Sequence, residues 1–292
     1  MRNFDENSIT KAVLDRVANA SDGRTQQISQ ALVRHLHAFV KEVEPSMGEW
    51  EAAIGFLTRT GHMCDDKRQE FILLSDTLGV SMLVDAINHR GTAGATDTTV
   101  LGPFYVQDPA VFPLGSDISD GMKGQPLFVS GTVSSTDGAP LAGAAVDVWH
   151  SDEDGYYDVQ QMEELGGLSM RARLFTDEQG RFHFWTIKPA AYPIPHDGPV
   201  GQMLDAQGRH PYRPAHVHFM IHAEGHDTLV THVFVAGDEY LDSDVVFGVK
   251  DSLIQEFVRH FPGEAPDGRI MGREFHSLRY DFRLKRLSAS AA

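Results

Sequence analysis

The sequence predicts a mainly β protein: a β-sandwich over residues 101–292, preceded by a helical dimerisation domain with a linker over residues 1–100. Three observations carry this. Apolar residues recur at spacings of three and four as far as about residue 91. From Pro126 onward the period drops to two. The alternating runs are short and are separated by turns rich in Gly and Asp. At 292 residues the chain can bury a sizeable core in one large or two medium domains.

The helical part divides into four stretches. Residues 8–18 place Ile9, Val13, Leu14 and Val17 on one stripe. A second helix follows Thr25, carries Ile28, Leu32, Val33, Leu36, Phe39, Val40 and Val43, and stops before Pro45. Its apolar arc is wider than one neighbouring helix needs, so part of it is expected against a second subunit. Ser46-Met47-Gly48-Glu49 has the capping-box spacing and opens a third helix with Trp50, Ile54 and Leu57. A fourth is expected from near Asp66 through Phe71, Leu74, Leu78, Leu83 and Ile87, ending at Gly91. Thr92 to Thr99 reads as a linker of small and polar residues, and Leu101-Gly102-Pro103-Phe104-Tyr105 marks a change of character.

Strands are expected over 128–133 and 144–150, joined through Asp137-Gly138. The runs 171–176 and 181–187 flank Asp177-Glu178-Gln179-Gly180 and read as a hairpin; 216–223 and 229–236 read as another. One more helix is expected within 243–261, a closing strand over 275–284, and a frayed tail over 288–292. The connection from Thr186 to Pro214 is long for a compact domain, and Pro189, Pro193, Pro195 and Pro199 stiffen it around Tyr192, which marks it as a positioned functional loop.

The formal net charge of −16 argues against non-specific binding to nucleic acid or to an anionic membrane, while leaving room for an anionic substrate held by one arginine. The single cysteine, Cys64, cannot form an intrachain disulfide, which fits a reducing cytoplasm. The N-terminal residues are polar with no apolar run behind them, so neither a signal peptide nor a membrane span is expected.

The chemistry concentrates between Tyr157 and His218. On a strand, Val217, Phe219 and Ile221 face one side and His216, His218, Met220 and His222 the other, so two imidazoles are offered to one point. Two imidazoles suit zinc, copper, iron or nickel. A phenolate is a hard anionic donor, and two of them with two imidazoles suit Fe(III), although spacing alone does not select Tyr157 and Tyr192 over Tyr156, Tyr212 and Tyr240. The remaining histidines, His150, His183, His196, His210, His226 and His232 among them, read as ordinary surface or core residues.

Val148-Trp149-His150 followed by Gly155-Tyr156-Tyr157, then Pro189-Ala190-Ala191-Tyr192-Pro193, Gly208-Arg209-His210 and Arg213-Pro214-Ala215-His216-Val217-His218-Phe219 resemble the intradiol ring-cleaving dioxygenases, over nearly the whole chain. The resemblance implies one non-haem Fe(III) per chain, bound by Tyr157, Tyr192, His216 and His218. Tyr192 would take up a substrate proton and Arg213 would stabilise negative charge on the substrate. It also implies a pocket of Leu73, Asp76, Leu101, Gly102, Pro103, Phe104, Ile194, Pro195 and Val246, and a homodimer built by the helical part, with a phospholipid in an apolar tunnel. The partners would be a small aromatic diol or triol and O2. Residues 71–76, 192–200 and 240–248 resemble the branch that opens hydroxyquinol (benzene-1,2,4-triol) to 3-hydroxymuconate, the enol form of maleylacetate. Catechol-cleaving relatives usually have a Gly-Cys-Pro type sequence after the second tyrosine and a glutamine where this chain has His232. Asp76 could accept a bond from the third ring hydroxyl or simply cap its helix. Catechol or chlorocatechol cleavage is the alternative within the family. Outside it stand a different metalloenzyme that uses His216 and His218 with an acidic residue, and a non-enzymatic β-sandwich binding module.

Overall fold

The computed structural model describes residues 2–65, 68–90 and 93–287. The expected helix start at Asp66, its end at Gly91, the first linker residue Thr92 and the tail over 288–292 lie outside the described residues. Two compact units are present, Met1–Arg59 and Thr60–Ala292.

The first unit is helical. Its α1 (Ile9–Val17) packs on α2 (Gly23–Val43), and Thr10 Oγ1 meets His37 Nδ1 at 3.0 Å. The side chain of Asp22 caps α2 by accepting from the backbone N–H groups of Arg24 and Thr25. Glu44 in left-handed backbone (φ 45°) ends α2 just before Pro45. The capping box forms as expected at the start of α3 (Met47–His62): Ser46 N donates to Glu49 Oε2 at 2.8 Å, and Glu49 N donates to Ser46 Oγ at 3.3 Å. Ile28, Leu32, Leu36, Phe39, Val40 and Val43 all remain exposed, Phe39 by 60%.

The expected long fourth helix is instead two, α4 (Glu70–Thr77) and α5 (Val80–Asn88). Gly79 sits between them at φ 72°, a left-handed conformation that interrupts the helical ladder while leaving the apolar spacing intact. The segment after residue 92 is stitched down rather than loose: Thr96 N donates to the Arg283 carbonyl at 2.9 Å and Thr99 N to the Val230 carbonyl at 2.9 Å.

The rest of the second unit is mainly two five-stranded sheets. The first joins β1 (Pro126–Ser135), β4 (Arg181–Ile187), β10 (Val258–His260), β13 (Phe275–Arg279) and β14 (Phe282–Leu284); the second has the order β3-β2-β7-β8-β9, with β2 Ala145–His150, β3 Arg171–Phe175, β7 His216–His222, β8 Leu229–Val235 and β9 Ile254–Gln255. Val129, Val133, Phe182 and Phe184 of the first sheet interleave with Val146, Val148, Val217, Phe219, Ile221 and Val233 of the second to form the main core.

Several sequence expectations change here. The runs around Asp177-Gly180 are not a hairpin: β3 pairs β2 while β4 pairs β1, so the turn carries the chain from one sheet to the other. The first two strands likewise pair with other partners, not with each other. Alternation reports which face a residue occupies, and Ala172, Leu174, Phe182 and Phe184 reach the same core from opposite sheets. The closing strand is split at Tyr280-Asp281. There the Tyr280 carbonyl comes so close to Gly131 that a Cβ would lie 1.9 Å from it, and Asp281 Oδ1 accepts from Thr132 N at 3.0 Å. The expected helix within 243–261 is only a single turn, Asp251–Leu253, followed by β9 and β10, because Leu253 and Phe257 are drawn into the sandwich. The long connection is not wholly irregular: β5 (Tyr192–Pro193) pairs β6 (Tyr212–Arg213), and between them runs a helix, Pro199–Ala206. Pro199 at its first turn is compatible with a helix start.

Candidate metal centre and substrate pocket

The alternation of β7 puts the site on the outer face of the second sheet. Val217, Phe219 and Ile221 point into the core, while His216 and His218 point the other way and are nevertheless buried. They are covered by Tyr157, at the entrance to the Asp158–Gln160 turn, and Tyr192 on β5, both buried. Beside them lies Trp149, paired with His218 across β2 and β7.

The four expected donors converge. His216 Nε2 lies 3.0 Å from His218 Nε2, which lies 2.9 Å from Tyr157 Oη; Tyr157 Oη lies 3.3 Å from Tyr192 Oη and 3.5 Å from His216 Nε2. Ligand bonds of about 2.1 Å at right angles would place neighbouring donors about 3.0 Å apart, so this spacing fits one shared cation. His216 Nδ1 must carry the proton, because it donates to the Pro214 carbonyl at 2.7 Å; Nε2 is therefore a lone pair aimed at the cluster. Burial, together with Arg213 for His216 and His232 for His218, pushes both imidazoles well below their usual pKa, which keeps them in the neutral, ligating form. Burial and then neighbouring Tyr192 push the Tyr157 phenol well above its usual value, and burial raises Tyr192 as well. Two such phenols become phenolates only beside a strongly polarising cation, and two phenolates would leave a trivalent ion one net positive charge. The donor set therefore fits Fe(III).

Tyr156 is half exposed, and Tyr212 stacks on Tyr240 at 4.8 Å between centroids, so none of these three approaches the cluster. His232, which the sequence groups with the ordinary histidines, does. Its ring lies 4.1 Å from that of His218 and 4.7 Å from that of His216, and the ligand atoms of the three histidines lie within 4.8 Å of one another. His232 Nδ1 meets Thr99 Oγ1 at 3.0 Å.

Arg213 is buried at the edge of this cluster, with Nη1 3.4 Å from His216 Nε2. Burial opposes its charge, but Asp244 and then Tyr192 hold its pKa above the ordinary value. Phe104 stacks on Tyr157, centroids 4.3 Å apart. Gly102, at φ 76°, passes so near the cluster that a Cβ would lie 3.3 Å from His218 Cε1. Leu73, Ile194 and Val246 pack in one apolar group with Val200, Leu204 and Val245. Leu73, Pro103, Phe104 and Pro195 also line a cavity of about 390 Å³ that opens beside Tyr105, Val159 and Gln160. Leu101 is 39% exposed. Asp76 is buried on α4. Burial raises its pKa; a Ser81 hydrogen bond and the nearby Arg213 act in the other direction.

A family model described as "Dioxygenase" matches residues 101–286, and one described as "Catechol dioxygenase N terminus" matches residues 22–96. The chain is 54% identical to a 6-chlorohydroxyquinol 1,2-dioxygenase of Cupriavidus pinatubonensis, over 90% of this chain and 95% of that protein. The crystal structure of a hydroxyquinol 1,2-dioxygenase from Pseudomonas putida superposes with a TM-score of 0.90 at 46% identity, covering 97% of this chain and 99% of the other. A catechol 1,2-dioxygenase from Pseudomonas arvilla has a TM-score of 0.83 at 31% identity, covering 97% and 93%.

Proposed function

The chain belongs to the intradiol ring-cleaving dioxygenase family, which works with non-haem iron, and from that premise we propose that it opens hydroxyquinol with O2 between the two adjacent hydroxylated carbons, giving 3-hydroxymuconate. The observation that carries the reading is the convergence of Tyr157, Tyr192, His216 and His218. These four would hold one Fe(III) per chain. The bound ion supplies Lewis acidity that makes the substrate ring attackable by O2.

The protein's own groups then have distinct tasks. Tyr192 Oη, 3.3 Å from Tyr157 Oη, is placed to take up a proton from the diol. Arg213 presents a fixed positive charge to the same space, where negative charge develops on the ring. Phe104 and the Leu73, Ile194 and Val246 group form apolar walls that exclude water. Asp76, on the Arg213 side, would accept a hydrogen bond from the third hydroxyl of hydroxyquinol. The higher identity to relatives named for hydroxyquinol than to the catechol enzyme favours the triol over catechol.

The exposed apolar stripe of α2 supports a homodimer through residues 1 to about 91, and a phospholipid chain at that interface would cover the same apolar side chains. Among the described residues no helix is long and apolar enough to cross a membrane; the single cysteine supports the cytoplasmic location we propose. The test of function is turnover by iron-loaded protein on hydroxyquinol, catechol, chlorocatechols and pyrogallol. The reading expects the highest kcat/KM on hydroxyquinol; equal or higher kcat/KM on catechol would overturn it.

A further inference from the structure

We infer that Asp244 is the positioning residue of the site, one carboxylate that sets both the direction of the Arg213 guanidinium and the place of the Val246 wall. Asp244 and Arg213 are both buried, with side-chain exposures of 2% and 3%. Arg213 donates from Nε to Asp244 Oδ1 at 3.0 Å and from Nη2 to Asp244 Oδ2 at 3.2 Å. This two-point contact occupies one edge of the planar fork and fixes its rotation, which leaves Nη1 turned to the donor cluster, 3.4 Å from His216 Nε2. A single contact would leave the fork free to swing.

The same carboxylate accepts from the loop that follows it. Gly248 N donates to Oδ2 at 2.9 Å and Val246 N approaches Oδ1 at 3.4 Å. Val246 belongs to the apolar group of Leu73 and Ile194. Gly248 completes the arrangement because a Cβ there would lie 3.0 Å from Arg213 Nη2 and 3.2 Å from Asp244 Oδ2. The backbone of Gly248 is not in the left-handed region, so it is the closeness of the ion pair that requires glycine there. Charge and wall are thus coupled through one side chain whose hydrogen bonds among the described residues go to Arg213, Val246 and Gly248 and to none of the four proposed ligands.

The inference rests on the reading of Arg213 as the group that faces the substrate, and a double-mutant cycle separates the two. Asp244→Asn keeps the shape but turns amide hydrogens toward the fork. Per bound iron, it should lower kcat on hydroxyquinol about ten- to a hundredfold, the size of effect a small misplacement produces, with a smaller change in KM and with iron content preserved. In an Arg213→Met background the same change should alter kcat by less than about twofold, because the group it orients is already gone, while the smaller change in KM that comes through the Val246 wall should remain. Gly248→Ala, which pushes on the pair without removing it, should lower kcat in the same direction and also lose its effect beside Arg213→Met. Equal fold losses in both backgrounds, or loss of iron from Asp244→Asn and Gly248→Ala, would overturn the inference and make Asp244 a residue of the fold. If Arg213→Met alone leaves kcat intact, the reading of Arg213 fails first, and the inference falls with it.

Discussion

Trp149 lies flat on the imidazole of His218, ring centroids 4.6 Å apart and planes 14° apart. Among the described residues no other ring stacks face to face on His218; Tyr157, His216 and His232 meet it edge-on. His218 Nδ1 is buried and has no hydrogen-bond partner among the described residues, whereas His216 Nδ1 is held by the Pro214 carbonyl. Ligating histidines are usually oriented by a bond from the second nitrogen; for His218 as a ligand, the stack on one side and the edge of His232 on the other would do that work. Trp149→Leu should therefore weaken iron retention about ten- to a hundredfold against a competing chelator, the range seen when outer supports of a ligand are lost. Trp149→Phe should keep most of it. Equal retention by Trp149→Leu and the parent protein would show that Trp149 does not hold His218 in place.

The ligand assignment predicts that His218→Ala, and separately His216→Ala, lose most iron and the visible charge-transfer colour of an Fe(III) phenolate. A lost nitrogen weakens the hold on the cation, and without the cation burial returns both tyrosines to the neutral phenol. Metal analysis beside an absorption spectrum checks this, and full iron with unchanged colour in His218→Ala would exclude the assignment.

Asp76 should divide stability from specificity. Burial raises its pKa, so the folded state holds the proton to higher pH than the unfolded chain does. Stability therefore falls as pH rises from the ordinary carboxyl value through the raised one, and the full cost is present at neutrality. Asp76→Asn should melt at a higher temperature than the parent protein at pH 7, with the difference vanishing in acid below the ordinary carboxyl pKa. Asp76→Ala should lower kcat/KM on hydroxyquinol about ten- to a hundredfold, the equivalent of one charge-assisted bond of roughly 1.5–3 kcal/mol, while sparing catechol. Loss of both activities in equal proportion would make Asp76 structural.

Assembly is tested by charge on the α2 stripe. The protein should scatter light as a dimer at micromolar concentration, and Leu32→Asp with Phe39→Asp should convert it to a monomer, since both side chains are more than half exposed on the single chain. A monomeric parent protein would contradict the proposed interface.

Much of the architecture was legible because it depends on local periodicity. The two faces of β7, core-facing Val217, Phe219 and Ile221 against His216 and His218, follow directly from alternation, and the Ser46–Glu49 capping box follows from spacing. What was not legible depends on partners far away in sequence. Alternation could not show that β3 and β4 belong to different sheets, because both bury the same kind of residue in the same core. Gly79 broke a helix whose apolar spacing runs through it unchanged. At the site, the tyrosines and the His-x-His pair stood out by type, but Trp149 and His232 reach His218 only through strand pairing on either side of it. Asp244 reaches Arg213 across 31 residues of sequence, and nothing in its local sequence pattern announces that contact.

The insertion of both atoms of O2 across a hydroxyquinol ring bond is the event that defines this reaction. It is tested most directly by mass spectrometry of the product formed by iron-loaded protein from hydroxyquinol under ¹⁸O2. The expected product is a ring-opened acid of composition substrate plus O2, with both added oxygens labelled. A product with one labelled oxygen, or an unopened oxidised ring, would contradict it.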